Sequence, residues 1–178
     1  MSYFHTATRT TKTSGFTLLE LLVVLLMVGI IATWGVPHFQ AFGGRAAQTS
    51  EINRLQSAFS LARNTAISQR RQLTLCPASE DRQACAKDWS GELMIVLGNK
   101  TDSITDADIV RIVPAQQGTQ VTYNRGWSRI RYSSLGYTSG YNGSFHICAS
   151  NGEEGAQGKK LVLSQLGRLR IDEAPIDC

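Results

Sequence analysis

Glu20 stands alone as a carboxylate inside an apolar run of 21 residues, Phe16 to Val36. A lone acid in hydrocarbon costs at least ~2.5 kcal/mol on insertion scales, which makes it a functional candidate by default. A second candidate is cationic. Arg168 and Arg170 alternate in the segment RLRI, so on a strand both guanidinium groups face one surface. Such groups contact phosphates by charge and bidentate hydrogen bonds without reading bases, giving weak, salt-sensitive, sequence-independent binding. Lys159 and Lys160, one strand earlier, extend that patch, while Asp172 and Glu173 nearby weaken it. Arg125, Arg129 and Arg131 form another set on alternating positions, with Trp127 and Tyr132 adjacent. Aromatic rings beside cations stack on single-stranded bases, although core packing is the commoner role for such a Trp.

Four cysteines, Cys76, Cys85, Cys148 and Cys178, allow three pairings. The segment between Cys76 and Cys85 is short and polar, and Cys178, the final residue, needs a tether. The expected bridges are therefore Cys76–Cys85 and Cys148–Cys178. Zinc is the alternative, but there is no C-x-x-C pair and the nearest histidine, His146, lacks a matching partner. Asp102, Asp106 and Asp108 fit no calcium-loop spacing and read as a solvated acidic loop. His5, His38 and His146 are too scattered for a metal or a triad, and no phosphate-loop, G-x-S-x-G or H-E-x-x-H pattern occurs. The reading is not an enzyme, with no cofactor and no metal.

The elements that must carry these residues begin with the apolar run. As a helix, 21 residues reach roughly 30 Å, the thickness of a bilayer's hydrocarbon core. Arg9 and Lys12 precede it without acidic neighbours, so positive-inside bias places residues 1–15 in the cytoplasm and the remainder outside. No A-x-A cleavage site follows the run. The chain has 178 residues, enough beyond the span for one ordinary domain. Beyond residues 1–15, which hold Arg9 and Lys12, 16 basic side chains face 14 acidic ones. Any nucleic-acid site must then be a local patch, not a global field.

Pro37 lacks a backbone N–H and is expected to kink or locally melt the helix, and Gly43-Gly44 weakens it again. Ile52, Leu55, Phe59, Ala62 and Ala66 then make one apolar helical face, with Arg45, Glu51, Arg54, Arg63 and Arg70 mostly elsewhere on the wheel. Arg70 and Arg71 sit where cations favour a helix end. After Arg71 the period becomes two. Segments 72–76, 92–98, 109–113, 120–123, 128–132, 144–148, 160–164 and 168–171 read as short strands, separated by turn signals. Residues 136–143 (GYTSGYNG) read as a mobile hairpin, and 151–158 (NGEEGAQG) as a flexible loop. The predicted fold is α+β: a long N-terminal helix packed on an antiparallel β-sheet domain. Its parts are residues 1–15 (leader), 16–36 (transmembrane helix half), 37–71 (amphipathic half) and 72–178 (β domain).

Gly15-Phe16-Thr17-Leu18-Leu19-Glu20 followed by an apolar helix resembles the class III signal of type IV prepilins and type II secretion pseudopilins. The resemblance implies cleavage between Gly15 and Phe16 by the prepilin peptidase and N-methylation of Phe16. It implies that Glu20 pairs with the freed amino group of a neighbouring subunit, fixing register because an unpaired buried charge costs several kcal/mol. It also agrees with a proline at position 37. Further on, residues 53–77, Cys85, Trp89 and the ending LVLSQLGRLR are similar to the GspH/FimT group of minor pilins and pseudopilins. The paired cysteines are more like its pilus members, FimT- and FimU-like. Gly167-Arg168-Leu169-Arg170 matches the G-R-x-R motif associated with DNA capture by FimT-like pilins. The implied partners are other pilin subunits in a helical filament, the prepilin peptidase, the inner membrane and DNA. The implied place is the inner membrane, single-pass with a periplasmic C-terminal domain, and the cell exterior once assembled. The competing reading is an H-type minor pseudopilin of a type II secretion system.

Overall fold

A computed structural model describes residues 17–150 and 157–178. The chain divides into two units, Met1–Phe39 and Gln40–Cys178. One helix, α1 (Leu18–Gln69), is assigned without a break through Pro37 and Gly43-Gly44, so the expected local melting is not seen. The prolyl ring costs the helix one backbone bond, and the chain stays helical on either side of it.

In the first unit α1 starts at a Thr17 cap. The Thr17 side-chain oxygen accepts the Glu20 N–H at 3.3 Å, and the Thr17 carbonyl accepts the Leu21 N–H at 3.2 Å. Threonine three residues before glutamate is a helix-start pattern that satisfies otherwise orphaned N–H groups. Large apolar residues are exposed all round this segment, Leu18, Leu21, Val24, Met27 and Ile31 among them. Among the described residues no helix is long and apolar enough to cross a membrane. The expected span covered residues 16–36; the described side chains of this unit run only from 17 to 33, short of the ~20 residues a span takes.

Among the described residues the second unit holds eight strands: β1 (Leu73–Pro77), β2 (Leu93–Leu97), β3 (Ile109–Val113), β4 (Thr119–Tyr123), β5 (Ile130–Tyr132), β6 (Gly143–Ala149), β7 (Gln157–Leu163) and β8 (Leu169–Asp177). They form two four-stranded sheets, ordered β3-β2-β1-β5 and β4-β6-β7-β8, and every strand pairing is antiparallel. β8 runs further than its sequence signal, through Pro175. It is an edge strand, where a missing N–H can face solvent.

Ile52, Leu55, Phe59, Ala62 and Ala66 of α1 pack with the inner faces of both sheets in one core. Phe59, Trp89, Tyr123 and Phe145 make its aromatic centre, with Tyr123 and Phe145 stacked at 4.4 Å. β1 is buried at every position. One face meets that core; on the other, Cys76 with Met94, Val96 and Ile104 forms a smaller cluster. The loops covering this second face are tied by the Cys85 N–H to the Thr101 carbonyl and by the Ile104 N–H to the Gln83 carbonyl. Both sheets, both disulfides and, among the described residues, every side chain of the buried core fall within residues 40–178, as in a domain with its own core.

α1 ends in left-handed geometry at Arg70, φ 50°. The Arg70 N–H bonds the Ile67 carbonyl and the Arg71 N–H bonds the Ala66 carbonyl. This is the Schellman closure, usually made with glycine. Arg70 and Arg71 therefore lie beyond the last helical turn, which holds no basic residue.

Candidate functional site

The second sheet presents Arg168 and Arg170 at its outer edge. β7 and β8 are joined by a turn in which the Ser164 N–H bonds the Arg168 carbonyl at 3.0 Å and the Gly167 N–H bonds the Ser164 carbonyl at 2.9 Å. Arg170 lies opposite Val162, and Asp172 opposite Lys160. Alternation places Arg168, Arg170 and Asp172 on one face. Both arginines are exposed.

The glycine of this segment has a packing task. Gly167 is buried, with φ 74°, a conformation that costs other residues roughly 1–2 kcal/mol. A Cβ there would strike the Gly136 carbonyl oxygen and the Tyr132 ring. Tyr132 donates its hydroxyl to the Gly167 carbonyl at 3.3 Å, and its burial raises the phenol's pKa. The Thr138 N–H reaches the Gln165 carbonyl, and its hydroxyl the Ser164 carbonyl. The Arg63 Nε–H of α1 reaches the Gly136 carbonyl at 3.2 Å. Residues 136–143, expected as a mobile hairpin, are thus docked between helix and turn, with Thr138 fully buried. A glycine- and tyrosine-rich segment reads as loose only while its hydrogen-bond partners are out of view.

The two lysines are placed differently. Lys160 pairs with Asp172 at 2.8 Å. That hydrogen bond, followed by one from the Ala174 N–H, holds the Asp172 carboxyl below its ordinary pKa. Lys160 neutralises the nearest acid in the strand and is itself neutralised. Lys159 is exposed and pairs with Ile147 in the unbroken β6–β7 register, while Lys160 pairs with His146, so alternation directs it to the opposite face of the sheet from Lys160.

Of the assembly residues, Glu20 is exposed in the first turn of α1. Gly15 and Phe16 lie outside the described residues, as does the side chain of Pro37. The loop at 151–156 is likewise outside them. Cys76 is bonded to Cys85 and Cys148 to Cys178, leaving no thiolate for zinc. The acidic loop is organised rather than merely solvated: Asp108 accepts from Lys100 Nζ and from the Thr105 hydroxyl and N–H.

Glu51 and Arg54 are the residues that wheel reading misplaced. Both are buried, their side chains 0% and 8% exposed, and paired at 2.6 Å. Arg54 also donates to the carbonyls of Trp89, Gly91 and Pro114. Glu51 lies four residues before Leu55, on the buried stripe, and that spacing was the available signal.

The family described as type II transport protein GspH matches residues 51–167. The chain belongs to the GspH family. The prokaryotic N-terminal methylation motif matches residues 10–36, which fits a pilin-like subunit anchored in a membrane before assembly. A fimbrial protein of Pseudomonas aeruginosa is 30% identical over 69 residues, covering 39% of this chain and 44% of that protein. The chain thus spans under half the length of the curated relatives it matches. The crystal structure of the type IV minor pilin FimU of Pseudomonas aeruginosa superposes with a TM-score of 0.60 at 23% identity, over 75% of this chain and 96% of that one. A second crystal form of FimU gives 0.57 at 24% identity, over 73% and 98%. This GspH-family chain therefore shares the pilin-type α+β fold.

Proposed function

We propose that this chain is a minor pilin of a type IV pilus that contributes to pilus assembly and holds DNA non-specifically for uptake in natural transformation. The methylation motif supports the first part. In this reading the prepilin peptidase cuts between Gly15 and Phe16, Phe16 is methylated, and residues 16–36 anchor the subunit once in the inner membrane with residues 72–178 in the periplasm. Glu20 then pairs with the amino terminus of a neighbouring pilin subunit, and the domain reaches the cell exterior in the filament. Mass spectrometry of the mature chain tests the cut; an N-terminus other than methylated Phe16 rejects it.

The observation that carries DNA binding is the pair Arg168 and Arg170, exposed on one face with the nearest strand acid, Asp172, occupied by Lys160. Lys159 and Lys160 contribute less than the arginines, the first by its side of the sheet and the second by its partner. A gel shift on duplex DNA at low and physiological salt tests this, with Arg168→Gln/Arg170→Gln beside the wild type. Binding that weakens with salt and vanishes in the double variant is expected; no binding by folded protein at low salt rejects it. The family's own description favours the second reading, an H-type pseudopilin of type II secretion. Loss of secretion with intact piliation in a deletion strain would select that reading.

A further inference from the structure

Trp127 is an exposed aromatic whose main chain is held from within. Its carbonyl accepts the indole N–H of the buried Trp89 at 3.0 Å, while its own side chain is 43% exposed. The ring meets Tyr141 edge-on, with centroids 5.9 Å apart. Tyr141 is pinned in turn: its carbonyl accepts the Tyr123 hydroxyl at 2.7 Å and its N–H reaches the Thr138 carbonyl at 3.0 Å. Leaving a Trp ring this wet forfeits part of its burial energy, and the hydrogen bonds around it leave the backbone little freedom to tuck it in.

Arg125 and Arg129 lie two residues to either side of Trp127 in the chain. Arg125 is exposed, and its stem crosses Gly143 so closely that a Cβ there would lie 2.7 Å from its Cγ. Arg129 is half-buried, and its Nε is enclosed without a hydrogen-bond partner among the described residues, so only the outer part of its guanidinium could meet a ligand. A fixed aromatic face with guanidinium groups beside it accepts a planar base and its phosphate together. Duplex DNA keeps its base faces stacked and offers only phosphates to such a surface. The loop bearing Tyr141 is bonded through Thr138 to the turn before Arg168.

We propose that Trp127 and Tyr141, flanked by Arg125 and Arg129, form a base-stacking site for single-stranded nucleic acid. It rests on the nucleic-acid reading above for its class of ligand, but on different residues.

The test uses the full chain in detergent micelles. The probes are a labelled oligothymidylate of about 20 nucleotides, a duplex of equal length, and heparin as a polyanion without bases. Trp127→Ala is expected to weaken oligothymidylate binding about tenfold and Trp127→Phe to restore most of it, since one base stacked on one ring is worth that order. Duplex and heparin binding should change less than about twofold. Truncating the side chain leaves the Trp89 bond to the main chain, and an unchanged melting midpoint confirms the fold. Arg168→Gln/Arg170→Gln should weaken all three ligands through charge. If that double variant changes nothing while Trp127→Ala acts on the single strand, the arginine reading fails and the stacking site stands. Oligothymidylate binding that is absent at low salt, or that Trp127→Ala leaves unchanged, overturns the stacking site. A variant that keeps oligonucleotide binding but no longer associates with another pilin subunit also overturns it, as a protein interface.

Discussion

Removing Arg54 should do more damage to the folded domain than removing any surface arginine. Its side chain is 8% exposed, its guanidinium sits 2.6 Å from a fully buried carboxylate and donates to three carbonyls in two loops. Arg54→Ala leaves Glu51 charged and unpaired in the interior, a loss of about 3–5 kcal/mol when one partner of a buried pair goes. The orphaned carbonyls of Trp89, Gly91 and Pro114 add to this wherever water cannot reach them. Glu51→Ala should cost a similar amount for the converse reason. Removing both leaves no unpaired charge, so the double variant should cost about 5 kcal/mol rather than the summed ~8, a coupling of about 3 kcal/mol. With a urea slope near 2 kcal/mol/M, each single variant lowers the unfolding midpoint by about 2 M. The assay is urea unfolding of residues 40–178 with disulfides intact, followed by tryptophan emission. Single variants within about 0.5 M of wild type, or losses that add in the double variant, would refute the reasoning. The pair also bears on the proposed stacking site, because Arg54 holds the carbonyl of Trp89, whose indole holds Trp127.

Gly167→Ala should cost about 2 kcal/mol or more, from the left-handed φ and from the new methyl against the Gly136 carbonyl; calorimetry should show melting lowered by about 5 °C or more. Arg70→Gly should stabilise by about 0.5–1 kcal/mol, because the helix closure then uses the residue suited to it, and chemical unfolding reads this directly. The Asp108 carboxyl, held down to about 2 first by the Lys100 hydrogen bond and then by Thr105, keeps its contribution above its ordinary pKa near ~4 and loses it as pH falls towards 2. Carbon NMR of the carboxyl should show the low midpoint, and Lys100→Met should raise it; a wild-type midpoint near ~4 rejects the contact.

Local order was legible in the sequence. All eight strands lie where a period of two met turn residues, because alternation and turn chemistry are properties of neighbouring residues. The division into two sheets was not legible. β4 and β5 are separated by a single turn, yet β5 pairs with β1 and β4 with β6, a choice made by contacts distant in sequence. The buried face of α1 was correct at Ile52, Leu55, Phe59, Ala62 and Ala66. It was incomplete at Glu51 and Arg54, since a charged residue reads as solvent-facing until its partner is found. The helix stop was disguised for a related reason: Arg70 takes the backbone shape that glycine usually signals. At the candidate site, the shared face of Arg168 and Arg170 follows from strand alternation. The loss of Lys160 to Asp172 depends on the register of β7 against β8, which no local pattern specifies.

The Gly-Arg-Leu-Arg segment combines two demands that the structure separates. Gly167 answers to packing: its place against Gly136 and Tyr132 seats the β7–β8 turn on the loop that Arg63 of α1 also holds. Arg168 and Arg170 are exposed, so the fold asks little of them. A chain could keep the glycine for its turn and have no need of the arginines, and for that reason the motif by its letters is weak support for DNA binding. The arginines become informative through what surrounds them. The only acid sharing their face on β8 within the described pairing, Asp172, already has a lysine, so their charge is left for a ligand. Arg168→Gln/Arg170→Gln should therefore melt with the wild type while losing DNA, whereas Gly167→Ala should lose stability first and DNA only through the displaced turn. Equal melting losses in the two variants would mean that the arginines serve the fold, and the case for a phosphate-binding edge would end there.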